Sequence, residues 1–123
     1  MAVVELSKDN FEQAIHDNDF VIVDFWAPWC GPCRSFAPIY DKVSADHDEV
    51  VFAKVNTEDE QELAAHFQSR SIPTLMIFRE QIIISAQPGA RPEGSFRQLL
   101  DKARELDMAE VRRQVEAQQE SHA

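Results

Sequence analysis

The stretch Phe20-Val21-Ile22-Val23-Asp24-Phe25-Trp26-Ala27-Pro28-Trp29-Cys30-Gly31-Pro32-Cys33 decides the fold. Its first half is apolar and rich in β-branched residues, the pattern of a strand covered on both faces. Pro28, Gly31 and Pro32 then break the run. From about Cys33 to His47 the apolar residues Phe36, Ile39, Tyr40 and Val43 recur on one face, which predicts a helix. Pro38 inside it should kink the helix, because it removes one hydrogen bond. A buried strand therefore runs into a helix through a short loop that carries both cysteines of the chain.

The same unit repeats outward in both directions. Val3, Val4 and Leu6 suggest a first strand. Ser7 is a plausible N-cap for a helix over 8–17, with Phe11, Ala14 and Ile15 inward. Residues 50–55 read as a buried strand and 60–67 as a short helix carrying Leu63, Ala64 and Phe67. Ile72-Pro73 precedes a strand over 74–78, followed closely by one over 82–85. Pro92 opens a helix with Phe96, Leu99, Leu100 and Ala103 inward. The order βαβαβαββα implies an α/β layered domain with a partly parallel sheet. The last two strands are too closely joined for a crossover, so they should be antiparallel.

A chain of 123 residues is one domain by length, with enough core to fold without staples. Its net charge of −10 argues against general nucleic-acid binding and against docking on anionic membranes. No apolar run approaches the roughly 20 residues that span a bilayer, and the first ten residues have no secretory-signal pattern as written. Two cysteines three apart suggest redox chemistry in a reducing compartment, hence a cytoplasmic protein.

A thiol attacks a disulfide as thiolate, so a redox cysteine needs an environment that favours the anion. The helix start after Cys30 supplies partial positive charge and free N–H donors. Pro32 suits a first helical turn, and Gly31 leaves the sulfurs without a neighbouring side chain. Cys33 falls about one turn on, within reach of a disulfide. Cys30, at the loop tip, should be exposed and attack; Cys33, inside the helix, should be shielded and resolve the mixed disulfide. Trp26 and Trp29 would keep water from one side. A zinc site needs four ligands, and there is no second cysteine pair and no paired histidine spacing, so no metal is expected. A pair of inert buried cysteines is the other bland reading; the Gly-Pro insert and both tryptophans weigh against it. Asp24 is costly to bury within its strand. Two placements stay open on the pattern alone: under the cysteines, taking the proton of Cys33, or facing solvent at a strand end. Pro73 must sit at a strand start or edge.

Together these residues resemble the thioredoxin family. The likeness covers roughly residues 3–105, through Val23-Asp24-Phe25-Trp26-Ala27, Trp29-Cys30-Gly31-Pro32-Cys33, Ala37-Pro38, Lys54-Val55-Asn56, Ile72-Pro73-Thr74 and Gly89-Ala90. It implies a thioredoxin fold, with a central five-stranded mixed sheet flanked by four helices. It implies a protein-disulfide reductase with Cys30 as nucleophile, Cys33 as resolving thiol, Asp24 as buried acid–base and Lys54 near that carboxylate. Pro73 would be cis and face the sulfurs. Substrate would lie in a shallow groove of Trp29, Gly31, Pro32, Ile72, Pro73, Gly89 and Ala90. An NADPH-dependent thioredoxin reductase would recharge the Cys30–Cys33 couple, so the chain itself, expected to be a monomer, would hold no cofactor. The segments Lys54-Val55-Asn56-Thr57-Glu58 and Arg70-Ser71-Ile72-Pro73-Thr74 look closest to bacterial thioredoxins of the second type, whose N-terminal zinc segment this sequence lacks. A thioredoxin-fold oxidant or isomerase, and a redox-independent assembly subunit, are the competing readings. The Gly-Pro insert is that of the reducing branch.

Two departures stand out. The tight turn after Phe78, usually glycine-bearing, reads Arg79-Glu80-Gln81, and Pro88 precedes Gly89 where a residue with an N–H is common. The sequence divides into a domain over 1–105 and a helical extension over 106–123. Asp107 and Glu110 resemble a capping box, and Met108, Val111 and Val115 share a face. The extension is expected to be a frayed, solvated helix rather than a docking element.

Overall fold

The computed structural model describes residues 3–69 and 71–121; Arg70 of the Arg70-Ser71-Ile72-Pro73-Thr74 segment lies outside the described residues. Five strands form one sheet: β1 (Val3–Glu5), β2 (Phe20–Trp26), β3 (Val51–Asn56), β4 (Thr74–Arg79) and β5 (Ile82–Pro88), in the order β1-β3-β2-β4-β5. β1, β3 and β2 are parallel, and β4 and β5 antiparallel. The helices are α1 (Phe11–Asp17), α2 (Gly31–Ser44), α3 (Gln61–His66), α4 (Glu93–Glu105) and α5 (Met108–Ser121). This is the expected mixed sheet with four helices and a C-terminal addition.

β2 takes the centre because it can be covered on both faces, and residues 20–25 are all buried. Its side chains alternate. Phe20 and Ile22 join Phe36 and Tyr40 of α2 and Phe96 and Leu100 of α4 in one apolar cluster. Val21, Val23 and Phe25 join Phe11 and Ile15 of α1, with Leu63 and Phe67 packed against them, on the other face. Asp24 follows Ile22 by two residues and so shares the α2/α4 face.

Local chemistry moved several boundaries. Ser7 does not cap α1: Asn10 Oδ1 accepts from Ser7 N at 2.7 Å and Ser7 Oγ accepts from Asp9 N, so 7–10 closes on itself and the helix starts at Phe11. Pro92, with ψ of 154°, is the N-cap of α4 rather than its first helical residue. α2 begins at Gly31, two residues before the predicted start, and runs through Pro38.

The β4–β5 connection has Glu80 and Gln81 in the left-handed region, with φ of 51° and 68°. Two such central residues match the twist of a tight hairpin, where glycine or asparagine is usual. Here the side chains do other work. Arg79 Nη1 donates to the carbonyls of Ala103 and Arg104 at the end of α4. Gln81 Nε2 donates to those of Ile15 and His16 at the end of α1. Glu80 pairs with Arg112 of α5.

That ion pair ties the C-terminal extension to the domain. Met108 is only 5% exposed, so the extension docks through its first turns instead of standing free in solvent. Asp107 Oδ1 accepts from Glu110 N at 3.2 Å, one half of the expected capping box. Glu110 turns to Arg113 instead of completing the other half.

Candidate active site

The site forms where β2 ends and α2 begins. Cys30 is the N-cap of α2, and its Sγ accepts from Cys33 N at 3.2 Å. An orphan N–H at a helix start, with the positive end of the helix dipole behind it, favours negative charge on that sulfur. Pro32 occupies the first turn, where its missing N–H has no partner to lose. Cys30 and Cys33 are joined in a disulfide, with Cα atoms 5.3 Å apart.

The expected contrast in exposure is corrected. Cys30 is 5% exposed and Cys33 3%, because both pack with Ala27, Trp26 and Ile72. What distinguishes them is the donor at Cys30 Sγ, not its reach into solvent. Trp29, 66% exposed, is the open apolar surface beside them.

Ile72–Pro73 is a cis peptide bond, and the Ile72 carbonyl oxygen lies 3.9 Å from Cys30 Sγ. Gly89 N donates to Pro73 O at 2.9 Å, which ties the 89–90 segment to this wall. A Cβ on Gly89 would fall 3.1 Å from Leu75 Cγ and 3.2 Å from Pro73 Cβ. Its φ is not positive, so close approach, not backbone freedom, calls for glycine here. Pro88 ends the edge strand β5 opposite Thr74, where a missing donor is tolerated.

Asp24 is 1% exposed, which rules out the placement facing solvent. Neither carboxylate oxygen has a hydrogen-bond partner among the described residues. Burial raises its pKa to about 7, with the nearby Lys54 charge pulling the other way. Lys54 is level with Asp24 in the β2–β3 register and holds its Nζ 5.3 Å from the centre of the Trp26 ring. Lys54 thus sits near the carboxylate without bonding to it.

Sequence reading placed Tyr40 inward but missed its hydroxyl. That group lies 2.8 Å from the Ala53 carbonyl and 3.1 Å from that of Ile22, pinning α2 to β2 and β3 just before Asp24. A tyrosine at an apolar helix position was the available signal, since a buried phenol needs a partner. A concavity between α1 and α3, floored by Phe11, Leu63 and Phe67, shares no residue with the disulfide site.

The arrangement is that of a dithiol–disulfide exchanger: a bridged pair on a helix start, facing a cis-proline loop. Comparison with known proteins agrees. Residues 2–102 match the thioredoxin family model. A Streptomyces coelicolor protein named "Putative thioredoxin 2" is 52% identical over 118 residues, covering 96% of this chain and 88% of that one. Thioredoxin 1 of a Nostoc species is 40% identical, over 82% of this chain and 96% of its own. Among solved structures, Plasmodium falciparum thioredoxin superposes with a TM-score of 0.76 at 32% identity, covering 83% of this chain and 98% of that one. An asparagine-to-glutamine variant of Halobacterium salinarum thioredoxin gives 0.78 at 27%, over 85% and 93%. The chain belongs to the thioredoxin family. It is a thiol–disulfide oxidoreductase whose redox-active pair is Cys30–Cys33.

Proposed function

We propose that this protein works in the reducing direction on disulfides of other proteins, with Cys30 attacking and Cys33 resolving. The observation that carries the assignment is the Cys33 N–H donated to Cys30 Sγ at 3.2 Å. In the reduced protein the Cys30 thiolate attacks one sulfur of a substrate disulfide, and the other leaves as a thiolate that takes a proton from water. The Cys33 thiol then gives its proton to the Asp24 carboxylate and attacks Cys30 Sγ. The mixed disulfide breaks, the second substrate thiol is released, and the Cys30–Cys33 bond forms. A carboxyl with a pKa of about 7 holds and releases protons near neutrality, which suits this task. Lys54 eases the ionisation of Asp24 against the larger effect of its burial.

Trp29, Gly31, Pro32, Ile72, Pro73, Gly89 and Ala90 form the substrate groove, supported by the exposure of Trp29 and the tie between Gly89 and Pro73. The two electrons travel as the dithiol, so the cycle needs no bound cofactor or metal in this chain. An NADPH-dependent thioredoxin reductase recharges it. A cytoplasmic monomer fits that supply of electrons; no helix among the described residues is long and apolar enough to cross a membrane.

The test is trapping. Cys33→Ser should hold substrate proteins as mixed disulfides on Cys30, and Cys30→Ser should hold few. A reduction potential of the pair well above the glutathione poise, with no reduction of insulin, would contradict the reducing role.

A further inference from the structure

Among the described residues, the arginines of this acidic chain divide into two sets. Arg97, Arg104, Arg112 and Arg113 each pair with a carboxylate, and Arg79 caps α4. Arg34 and Arg91 do not. Among the described residues their only hydrogen bonds are to neutral acceptors. Arg34 Nη1 donates to Pro28 O at 3.2 Å. Arg91 Nη2 donates to Gln87 Oε1 at 2.9 Å and Pro88 O at 3.1 Å, and its buried Nε has no partner. Both keep guanidinium donors for a planar anion.

Their positions are not scattered. Arg34 follows Cys33 in the first turn of α2 and bends back to the carbonyl just before Trp29. Arg91 follows Gly89-Ala90, the segment held to Pro73 by the Gly89 N–H. The two arginines without a carboxylate partner thus adjoin the Trp29–Cys33 and Gly89–Ala90 segments of the groove, in a chain whose net charge is −10.

We propose that Arg34 and Arg91 determine substrate choice by engaging carboxylates that flank the target disulfide. This rests on the reductase reading above and names its substrate class: acidic segments around the cysteine. The overall negative charge opposes acidic partners at long range. At physiological salt that field is screened beyond about 8 Å, whereas a carboxylate placed against either guanidinium is not. Selection is thus local: position of the acidic residues counts, not total charge.

Two disulfide-bridged peptides of identical composition test this. One carries two glutamates beside a bridged cysteine, the other at its far end. Equal net charge cancels the long-range field. The second-order rate constant for reduction by the dithiol protein should be about fivefold higher for the first, the sum of two modest ion pairs. Arg34→Gln/Arg91→Gln should bring the ratio close to one, Arg34→Lys/Arg91→Lys should keep most of it, and about 1 M salt should abolish it. Equal rates with the unaltered protein, or a ratio that survives the double glutamine change, would overturn the proposal. If neither peptide is reduced, the reductase reading itself fails, and this one with it.

Discussion

At Asp24 the strand pattern was legible but its meaning was not. Val-Ile-Val-Asp-Phe shows a carboxylate among apolar residues, and only the covering by α2 and α4 makes it buried. Its pKa of about 7 in the folded chain lies above the ordinary 3.8. Between those values the folded state holds a proton that the unfolded state has lost. The stability that Asp24 contributes is therefore full below about pH 4, is lost as pH rises toward 7, and changes no further above that. At roughly 1.4 kcal/mol per unit the loss approaches about 4 kcal/mol as a ceiling. Asp24→Asn removes the titration at nearly constant volume. Urea titrations should find the variant roughly 2–4 kcal/mol more stable than the parent at pH 8, with the gap closing by pH 4. The same variant should resolve mixed disulfides more slowly, since Cys33 loses its proton acceptor. A gap independent of pH would mean that Asp24 does not titrate as described. Gly89 is a second case. Nothing in Pro88-Gly89-Ala90 shows that Leu75, fully buried, stands where a Cβ would go. Gly89→Ala should cost about 1–2 kcal/mol by chemical denaturation, because a fixed core residue must shift.

Among the elements, those with a strong apolar period were read correctly and their ends were not. β2, α2 and α4 bury continuous faces, so pattern alone finds them. Ends are fixed by single hydrogen bonds, such as Asn10 turning back on Ser7, and no period reports those. The β4–β5 hairpin shows a conflict between local and tertiary needs. Its left-handed positions cost about 1 kcal/mol or more each for residues with a Cβ. Glu80 and Gln81 occupy them because their side chains reach α5 and α1. The two Gln81 contacts are long, 3.3 and 3.4 Å, and one is exposed, so they recover less than the backbone costs. Gln81→Gly should therefore stabilise the protein, raising its melting temperature by a few degrees. A lower melting temperature would show that capping of α1 outweighs the backbone term.

On the scale of the whole molecule, the question is whether the extension belongs to the domain. Sparse apolar residues and a polar end made α5 read as solvated, because sequence shows how many apolar groups a helix offers but not what meets them. Met108 is almost completely buried, at 5% exposure, while Val111 and Val115 are half-buried and Arg112 pairs with Glu80 in the hairpin turn. A fully buried methionine contributes about 1.5–3 kcal/mol, and a surface ion pair at most about 1. Fraying and the ordering of the helix offset part of that. Ending the chain before Asp107 should then lower stability by roughly 1–2 kcal/mol, or several degrees in melting temperature, with one cooperative transition in both forms. Met108→Ala alone should reproduce most of the loss, since the ion pair is the smaller part. The disulfide site shares no residue with α5, so the shortened protein should reduce insulin at nearly the full rate below its melting range. An unchanged melting temperature would restore the solvated reading. A large loss of activity in a folded, shortened protein would instead place α5 in contact with substrate.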